Sequence, residues 1–358
     1  MKKLNILHIS PDFNYSCGVS KYVFQLLEEL SKRDELHLFF LTNKGDSINR
    51  LSGLNVKIDF LNFERENKNP FKFVLNYFFL LKFCMKNKIE IIHTHHRYPE
   101  LLAYFVSMSL KIKTITTVHS LVDGWKFISF KSDKIIAVSN AVKKHLIQNY
   151  RVNSEKVFQL YNFVKSSNNI SQGERRILKQ KIGIENNNKV LLFIGRICYI
   201  KGCDILISAF EKLLVENPLL KLIMIGNFES FKIKDIVQKN NKIIYISPTN
   251  EILSYYYLSD IVILPSRIDS FPFVMLEAGL AKKTFIGGKT GGIAEFIDDG
   301  VDGLLVEPGS VNDLEEKIQT LMDNQALSNS LANKLHSKVM KFTNSGYYIS
   351  KLIEIYES

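Results

Sequence analysis

The run Val190-Leu-Leu-Phe-Ile-Gly-Arg-Ile-Cys-Tyr-Ile-Lys-Gly-Cys-Asp-Ile-Leu-Ile-Ser-Ala-Phe210 decides the fold. Its opening block, Val190–Ile194, is wholly apolar and ends at a glycine, as a strand buried on both faces requires. From Cys203 the apolar residues fall at Ile205, Leu206, Ala209, Phe210 and Leu213, the spacing of a helix face, so a helix over Cys203–Glu216 follows. Between them, Gly195 and Gly202 let the chain turn sharply. Strand, glycine turn and helix in this order make half of a βαβ unit and call for a parallel sheet.

The same rhythm extends in both directions. Downstream, Leu220–Ile225, Lys242–Ile246, Ile261–Leu264 and Thr284–Gly287 read as strands, with helices over Ile252–Leu258 and Val274–Gly279. Upstream, strands are expected at Leu4–Ile9, Glu35–Leu41, Val56–Leu61, Ile89–His93, Thr114–His119 and Lys134–Val138. The helices between them are Ser20–Lys32, Phe71–Lys86, Glu100–Leu110 and Asn140–Tyr150. The rhythm breaks at Lys165–Gln172, which reads KSSNNISQ and serves as a linker. The expectation is an α/β chain of two Rossmann-like domains, 1–164 and 165–342, with ligands at the carboxyl ends of the strands. A length of 358 residues agrees with two domains.

Composition removes several classes. A hydrophobic fraction of 46% excludes a disordered chain. The longest mostly apolar stretch, Phe71–Met85, is interrupted by Lys72, Asn76 and Lys82, so no membrane span is expected. Met1–Ile9 runs into a strand with no small-residue cleavage site, and no signal peptide is read. The four cysteines, Cys17, Cys84, Cys198 and Cys203, form no C-x-x-C pair, which argues against structural zinc and for a reducing cytoplasm. The net charge of +11 is uneven, +10 over residues 1–164 and +1 over the rest. It suits an anionic surface, but there is no clustered arginine stripe or RNA-binding signature, so nucleic acid is not a favoured partner.

The loops after strands carry the candidate chemistry. Ser10–Ser20 places Gly18 where a helix begins, letting backbone N–H groups approach a phosphate; it is not G-x-G-x-x-G, so no nicotinamide cofactor is implied. His93 and His95 of Ile91-Ile-His-Thr-His-His96 share one strand face. No acidic or cysteine ligand stands at metal spacing nearby, so no metal is assigned and they read as polar groups at a strand end. His119 ends another strand, where it can exchange a proton or orient a substrate hydroxyl. Gly195-Arg196-x4-Lys201-Gly202 offers an arginine fork and a lysine point charge, which together suit a diphosphate. In Asp269-Ser-Phe-Pro-Phe-Val-Met-Leu-Glu277, Asp269 or Ser270 can cap a helix with Pro272 in its first turn, and the helix N-terminus faces a phosphate. Glu277 lies among apolar residues, where a carboxylate needs a partner such as a ribose diol. Gly287–Gly292 lacks the first glycine of a Walker A loop and reads as a tight turn into a helix over Ile293–Ile297. Asp299–Gly303 reads as a turn before the strand Leu304–Val306.

Taken in order, these motifs resemble the family 4 retaining glycosyltransferases of GT-B fold. The resemblance rests on CGVSKYV (17–23), IIHTHH (91–96), TVHS (117–120), AVSNAVKKHL (137–146), LYNFV (160–164), GRICYIKG (195–202), DSFPFVMLE (269–277) and GGIAEFIDDGVDGLLVEP (291–308). It implies two domains facing across a cleft, with 343–358 as a helix crossing back to the first. It implies transfer of a sugar, in a hexosyltransferase-type reaction, from a nucleotide sugar, a UDP-sugar being favoured. The acceptor is a glycan or a lipid-linked one, in bacterial surface polysaccharide synthesis such as lipopolysaccharide or capsule. By the same resemblance Arg196 and Lys201 bind the donor pyrophosphate, and Asp269 and His119 face the donor sugar. Glu277 holds the ribose, Phe273 and Val274 lie at the donor, Gly18 lies by the phosphates, and no metal or other cofactor is needed. Two positions depart from the pattern: Cys17 stands for the usual first glycine, and Asp269 for the usual first glutamate of E-x7-E. They leave open a silent partner subunit; a sugar-nucleotide epimerase of the same fold is the other alternative. Finally, the basic, aromatic segment 70–88 suits docking on an anionic inner membrane, through a stripe of Lys72, Asn76, Phe79, Phe83 and Lys86. That makes the expected location cytoplasmic and peripheral on the membrane's inner face.

Overall fold

The computed structural model describes residues 3–63, 69–165 and 171–358. The chain begins β1 (Leu4–Ile9), α1 (Gly18–Leu30), β2 (Leu36–Thr42), β3 (Val56–Phe60), α2 (Pro70–Asn87), β4 (Ile91–Thr94), α3 (Arg97–Leu110) and β5 (Lys113–Val118). It continues β6 (Lys134–Ala137), α4 (Asn140–Tyr150), β7 (Val157–Gln159), α5 (Gln172–Lys181), β8 (Lys189–Ile194), α6 (Cys203–Glu216), β9 (Leu220–Ile225), α7 (Phe231–Lys239) and β10 (Ile243–Ile246). It ends α8 (Ile252–Leu258), β11 (Ile261–Leu264), α9 (Phe273–Leu280), β12 (Thr284–Gly288), α10 (Gly291–Phe296), β13 (Leu304–Val306), α11 (Val311–Asp323), α12 (Gln325–Phe342) and α13 (Ser345–Glu357).

Two compact units result: Met1–Phe163 with Ser345–Ser358, and Val164–Asn344. Each is built on an all-parallel sheet. The first has the strand order β3-β2-β1-β4-β5-β6-β7, the second β10-β9-β8-β11-β12-β13. In both, the order runs one way and then reverses, at β1/β4 and at β8/β11. A parallel sheet points all its carboxyl ends to one edge, and the reversal leaves a crevice there that no crossover helix fills. In the second unit the strands at the reversal are apolar on both faces, so they lie buried: Val190–Ile194 and Ile261–Leu264 are covered.

Differences from the sequence reading are local. Residues 166–170 of the expected linker lie outside the described residues, and Gln172 already belongs to α5, opened by a Ser171/Glu174 capping box. α5, α7, α11, α12 and β7 are elements the reading does not assign. The expected caps on the helix after Asp269 are not made: Pro272 is the N-cap residue of α9 and contributes no side-chain bond. In α2 the stripe read as exposed is wrong at two positions, because Asn76 and Phe83 are buried with Leu80 and Cys84 against the core. Its exposed face is a different one.

A polar hub lies inside the first unit. His8 on β1 stands opposite His93 on β4 in the sheet register. His93 Nδ1 bonds the Tyr356 hydroxyl at 2.7 Å and its Nε2 the Thr117 hydroxyl at 2.8 Å. His8 Nδ1 and His95 Nε2 are 3.3 Å apart, and the Tyr22 and Tyr348 hydroxyls are 2.5 Å apart. Tyr348 and Tyr356 belong to α13, so the last helix is tied to the first unit by hydrogen bonds across more than 250 residues of chain (separation 326 and 263). Burial lowers His8 and His119 to about 3. It also drives His93 and His95 well below the ordinary range, helped by the neighbouring imidazoles. All four are therefore neutral at pH 7.

This sets a pH dependence. Unfolded histidines take up protons below about pH 6.5, whereas these stay neutral in the fold, so stability falls as the pH drops through that window toward 3. For His8 alone the loss between neutrality and about pH 5 is on the order of 2 kcal/mol. Urea unfolding followed by the single tryptophan, Trp125 of the first unit, should show a lower midpoint at about pH 5 than at about pH 7.5. An unchanged midpoint would refute the buried neutral hub.

Candidate active site

In the second unit the crevice at β8/β11 gathers most of the residues singled out from sequence. β8 ends at Ile194, and the chain turns through Gly195 and Arg196 into a short 3₁₀ turn, Tyr199–Lys201, before α6. β11 ends at Leu264 and leads through Pro265–Phe271 to α9. The two loops are locked together. Gly202 has φ +72°, and a Cβ there would lie 2.1 Å from the Pro265 carbonyl oxygen, so only glycine lets the loops approach this closely. Arg267 completes the lock. Its backbone N–H donates to the Ile200 carbonyl, its guanidinium forks on Asp204 with both bonds at 2.8 Å, and it stacks 3.6 Å from the Tyr199 ring centroid.

The lock brings Lys201 onto Asp269. Lys201 Nζ donates to Asp269 Oδ2 at 2.6 Å, and the Ser266 hydroxyl donates to the same oxygen at 3.1 Å. Asp269 is 7% exposed. This is what Asp269 does instead of capping α9. A carboxylate so buried needs both a cation and a hydroxyl to offset its lost hydration. Arg196 projects further out, half-exposed, and one of its guanidinium nitrogens donates to both Glu229 carboxylate oxygens, at 3.0 and 3.2 Å. Glu277, on the buried side of α9, accepts a 2.8 Å bond from the Tyr256 hydroxyl. Burial raises the Tyr256 phenol well above its usual range, so it stays a donor. Phe273 and Val274 form the first turn of α9, where backbone N–H groups have no partner within the helix. A third segment closes on the same loop: Gly291 at the start of α10 has φ +47°, and a Cβ there would meet the Asp269 carbonyl oxygen at 1.8 Å.

The first unit holds the other two. Gly18 opens α1, behind an N-cap Cys17 that makes no side-chain cap. Tyr22, one turn later, stands edge-on to the His119 ring at 4.7 Å. His119 Nε2 is buried without a hydrogen-bond partner among the described residues. His93 and His95, read as polar groups at a strand end, are members of the buried hub at the end of β4. Ring nitrogens of His8, His93 and His95 lie within 4.8 Å of one another, a possible metal-holding group. Yet His93 already spends both nitrogens on Tyr356 and Thr117, and the group includes no carboxylate to offset a divalent charge. Sequence reasoning missed His8, Ser266, Tyr256, Glu229, Arg267 and Asp204. Of these, only Arg267 carried a local signal, as a basic residue directly after a buried strand.

Two Rossmann-like parallel-sheet units, each with its polar loops at a topological switch point, define the GT-B class of glycosyltransferases. The family model for glycosyl transferases group 1 matches residues 174–338, and that for glycosyltransferase family 4 matches residues 17–168. The chain belongs to glycosyltransferase family 4. It is 29% identical over 271 residues to an uncharacterized glycosyltransferase of Methanocaldococcus jannaschii, covering 71% of this chain and 72% of that one. It is 27% identical over 195 residues to the lipopolysaccharide 1,2-N-acetylglucosaminetransferase of Salmonella typhimurium, half of each chain. Among solved structures it resembles Anabaena HepE in complex with UDP and glucose, with a TM-score of 0.85, 17% identity and 99% and 100% coverage of the two chains.

Arg267→Ala removes the fork and the ring stack together. Discounted for partial exposure, about 1–2 kcal/mol of stability should be lost. Denaturant unfolding of the variant checks this; a wild-type midpoint would mean the lock rests on Gly202 and the backbone alone.

Proposed function

We propose that this glycosyltransferase moves a sugar, of hexosyl type, from a UDP-sugar to a glycan or lipid-linked acceptor with retention of configuration. The setting is bacterial surface polysaccharide synthesis, at the inner face of the cell membrane. The observation that carries the reading is the Lys201–Asp269 pair with Arg196 beside it, held at the switch point of the second sheet. Two cations aimed at the carboxyl ends of buried strands are what a diphosphate needs. The Salmonella relative and the UDP and glucose bound in HepE support a nucleotide-sugar donor and a surface-glycan product.

In this reading Arg196 exchanges Glu229 for phosphate, and Lys201 reaches the pyrophosphate while keeping Asp269 at its flank. The first turn of α9, Phe273 and Val274, adds a positive helix end. Glu277, oriented by Tyr256, accepts from the ribose hydroxyls. Asp269 faces the donor sugar with a carboxylate one methylene shorter than the family's glutamate, so it tunes which sugar fits. In the first unit, Gly18 lies by the phosphates, and His119, kept neutral by burial, offers the sugar a hydrogen bond without a charge. The leaving β-phosphate takes the acceptor proton on the front face as the new glycosidic bond forms and the old one breaks. Arg196, Lys201 and the α9 N-terminus stabilise the charge that develops on the diphosphate. Charge neutralisation is thereby assigned to these groups, and no metal or other cofactor is invoked.

Calorimetric titration with UDP, GDP and ADP should show micromolar binding of UDP, lost in Glu277→Ala. Absence of binding to all three would turn weight to a silent partner subunit, with Cys17 and Asp269 as the departures to revert. With a turnover assay in hand, Lys201→Ala should lose roughly 2–4 kcal/mol of transition-state stabilisation. Wild-type turnover in that variant would remove Lys201 from the chemistry.

A further inference from the structure

The exposed face of α2 is apolar where a surface helix should be polar. Its residues Phe71, Val74, Leu75, Phe78, Phe79 and Met85 fall at helical spacing and all face outward, Phe71 at 68%, Phe78 at 58% and Met85 at 62% exposure. The opposite face, with Leu80, Phe83 and Cys84, is already buried in the core of the first unit. The helix is therefore apolar on both sides, and only one side has a protein partner among the described residues. The neighbouring helix α3 extends the patch with Phe105 and Met108, the latter 66% exposed, across a shallow groove floored by Phe73 and Tyr77.

Charge decides what covers it. Lys82 and Lys86 lie within the apolar face, Lys72 and Lys88 lie at its two ends, and Lys111 follows α3; all are exposed. From Pro70 to Ile89 there is no aspartate or glutamate. A second copy seated on the same patch would set lysines against lysines across a two-fold axis, with no carboxylate to neutralise them. No helix among the described residues is long and apolar enough to cross a membrane. Aromatic and long aliphatic side chains level with lysine stems, on a helix capped at both ends, suit the headgroup boundary of an anionic bilayer.

We propose that the exposed face of α2, with Phe105 and Met108 of α3, docks this enzyme on the surface of an anionic membrane. Phe71, Phe78 and Met85 enter the interface, and Lys82 and Lys86 meet lipid phosphates. The proposal deepens the lipid-linked-acceptor reading: a face that holds the first unit on the bilayer keeps it where such an acceptor lies.

The test is co-sedimentation of the full chain with vesicles of phosphatidylcholine alone and of phosphatidylcholine with phosphatidylglycerol, at low and high salt. Binding should require the anionic lipid and weaken with salt. Lys82→Glu/Lys86→Glu should lower it by about thirtyfold or more, from about fivefold per lysine removed. Phe78→Ser/Met85→Ser should abolish it at unchanged charge. These side chains are exposed, so thermal unfolding and UDP binding in solution should match wild type in both variants. Equal binding to neutral vesicles, no vesicle binding, or variants that sediment like wild type would overturn the docking. So would a dimer in solution that Phe78→Ser/Met85→Ser dissociates. UDP binding is scored separately, so loss of docking with intact nucleotide binding overturns this face alone. Intact docking without nucleotide binding overturns the donor reading alone.

Discussion

Each sheet reverses its strand order once, and the chemistry of the chain is arranged around that reversal. All strands of a parallel sheet end on one edge, and the crossover helices leave the switch point open. At β8/β11 the edge must be populated by loops whose backbones approach closely. Gly202 against Pro265 and Gly291 against Asp269 meet that demand with residues that have no Cβ. These approaches bring the Lys201 and Asp269 loops together.

The second consequence is electrostatic. Lys201 and Arg196 are each matched by a carboxylate, Asp269 and Glu229. The two pairs differ in depth. Lys201–Asp269 is nearly buried and held by Ser266, so separating it would strand a carboxylate in a poor solvent. Arg196–Glu229 is half in water, where an ion pair contributes little and exchanges readily. Under the proposed donor reading a phosphate recruits Arg196 at small cost, while Lys201 is approached with Asp269 still attached. An aspartate at 269 fits this geometry: its short arm, with the lysine at 2.6 Å, leaves the carboxylate tied to the β8 loop.

The first unit solves a different problem at its own reversal. β1 and β4 place histidines side by side in a dry interior, where burial keeps them neutral. Thr117 and Tyr356 of α13 supply both partners of His93, and Tyr348 pairs with Tyr22 beside it. The last helix is bound to the first unit by that polar requirement as well as by its apolar face of Ile349, Leu352 and Ile355. Its partners lie at the start of the chain, which explains why the hub depends on both termini of the sequence.

Much of this was legible in the sequence. Unbroken apolar runs and 3.6-residue spacing are local properties, so the strands and helices around Val190–Glu216 and the parallel α/β class follow from composition along the chain alone. The motif loops were legible for the same reason: a glycine, an arginine or a lysine directly after a buried strand sits at the sheet's carboxyl edge whatever else happens. The partners were not legible. Lys201 meets Asp269 over 68 residues, Tyr256 meets Glu277 from another element, and His93 meets Tyr356 over 263. Helical spacing showed that α2 has two faces but not which one is inward, because both are apolar; packing against α3 and the sheet chose Asn76 and Phe83 for the inside. The sequence determined the elements and the residues available at their ends. The tertiary structure decided which of those residues touch and which apolar face is left to solvent, since contact between distant segments depends on sheet order and loop approach, and neither is encoded in any one window of the chain.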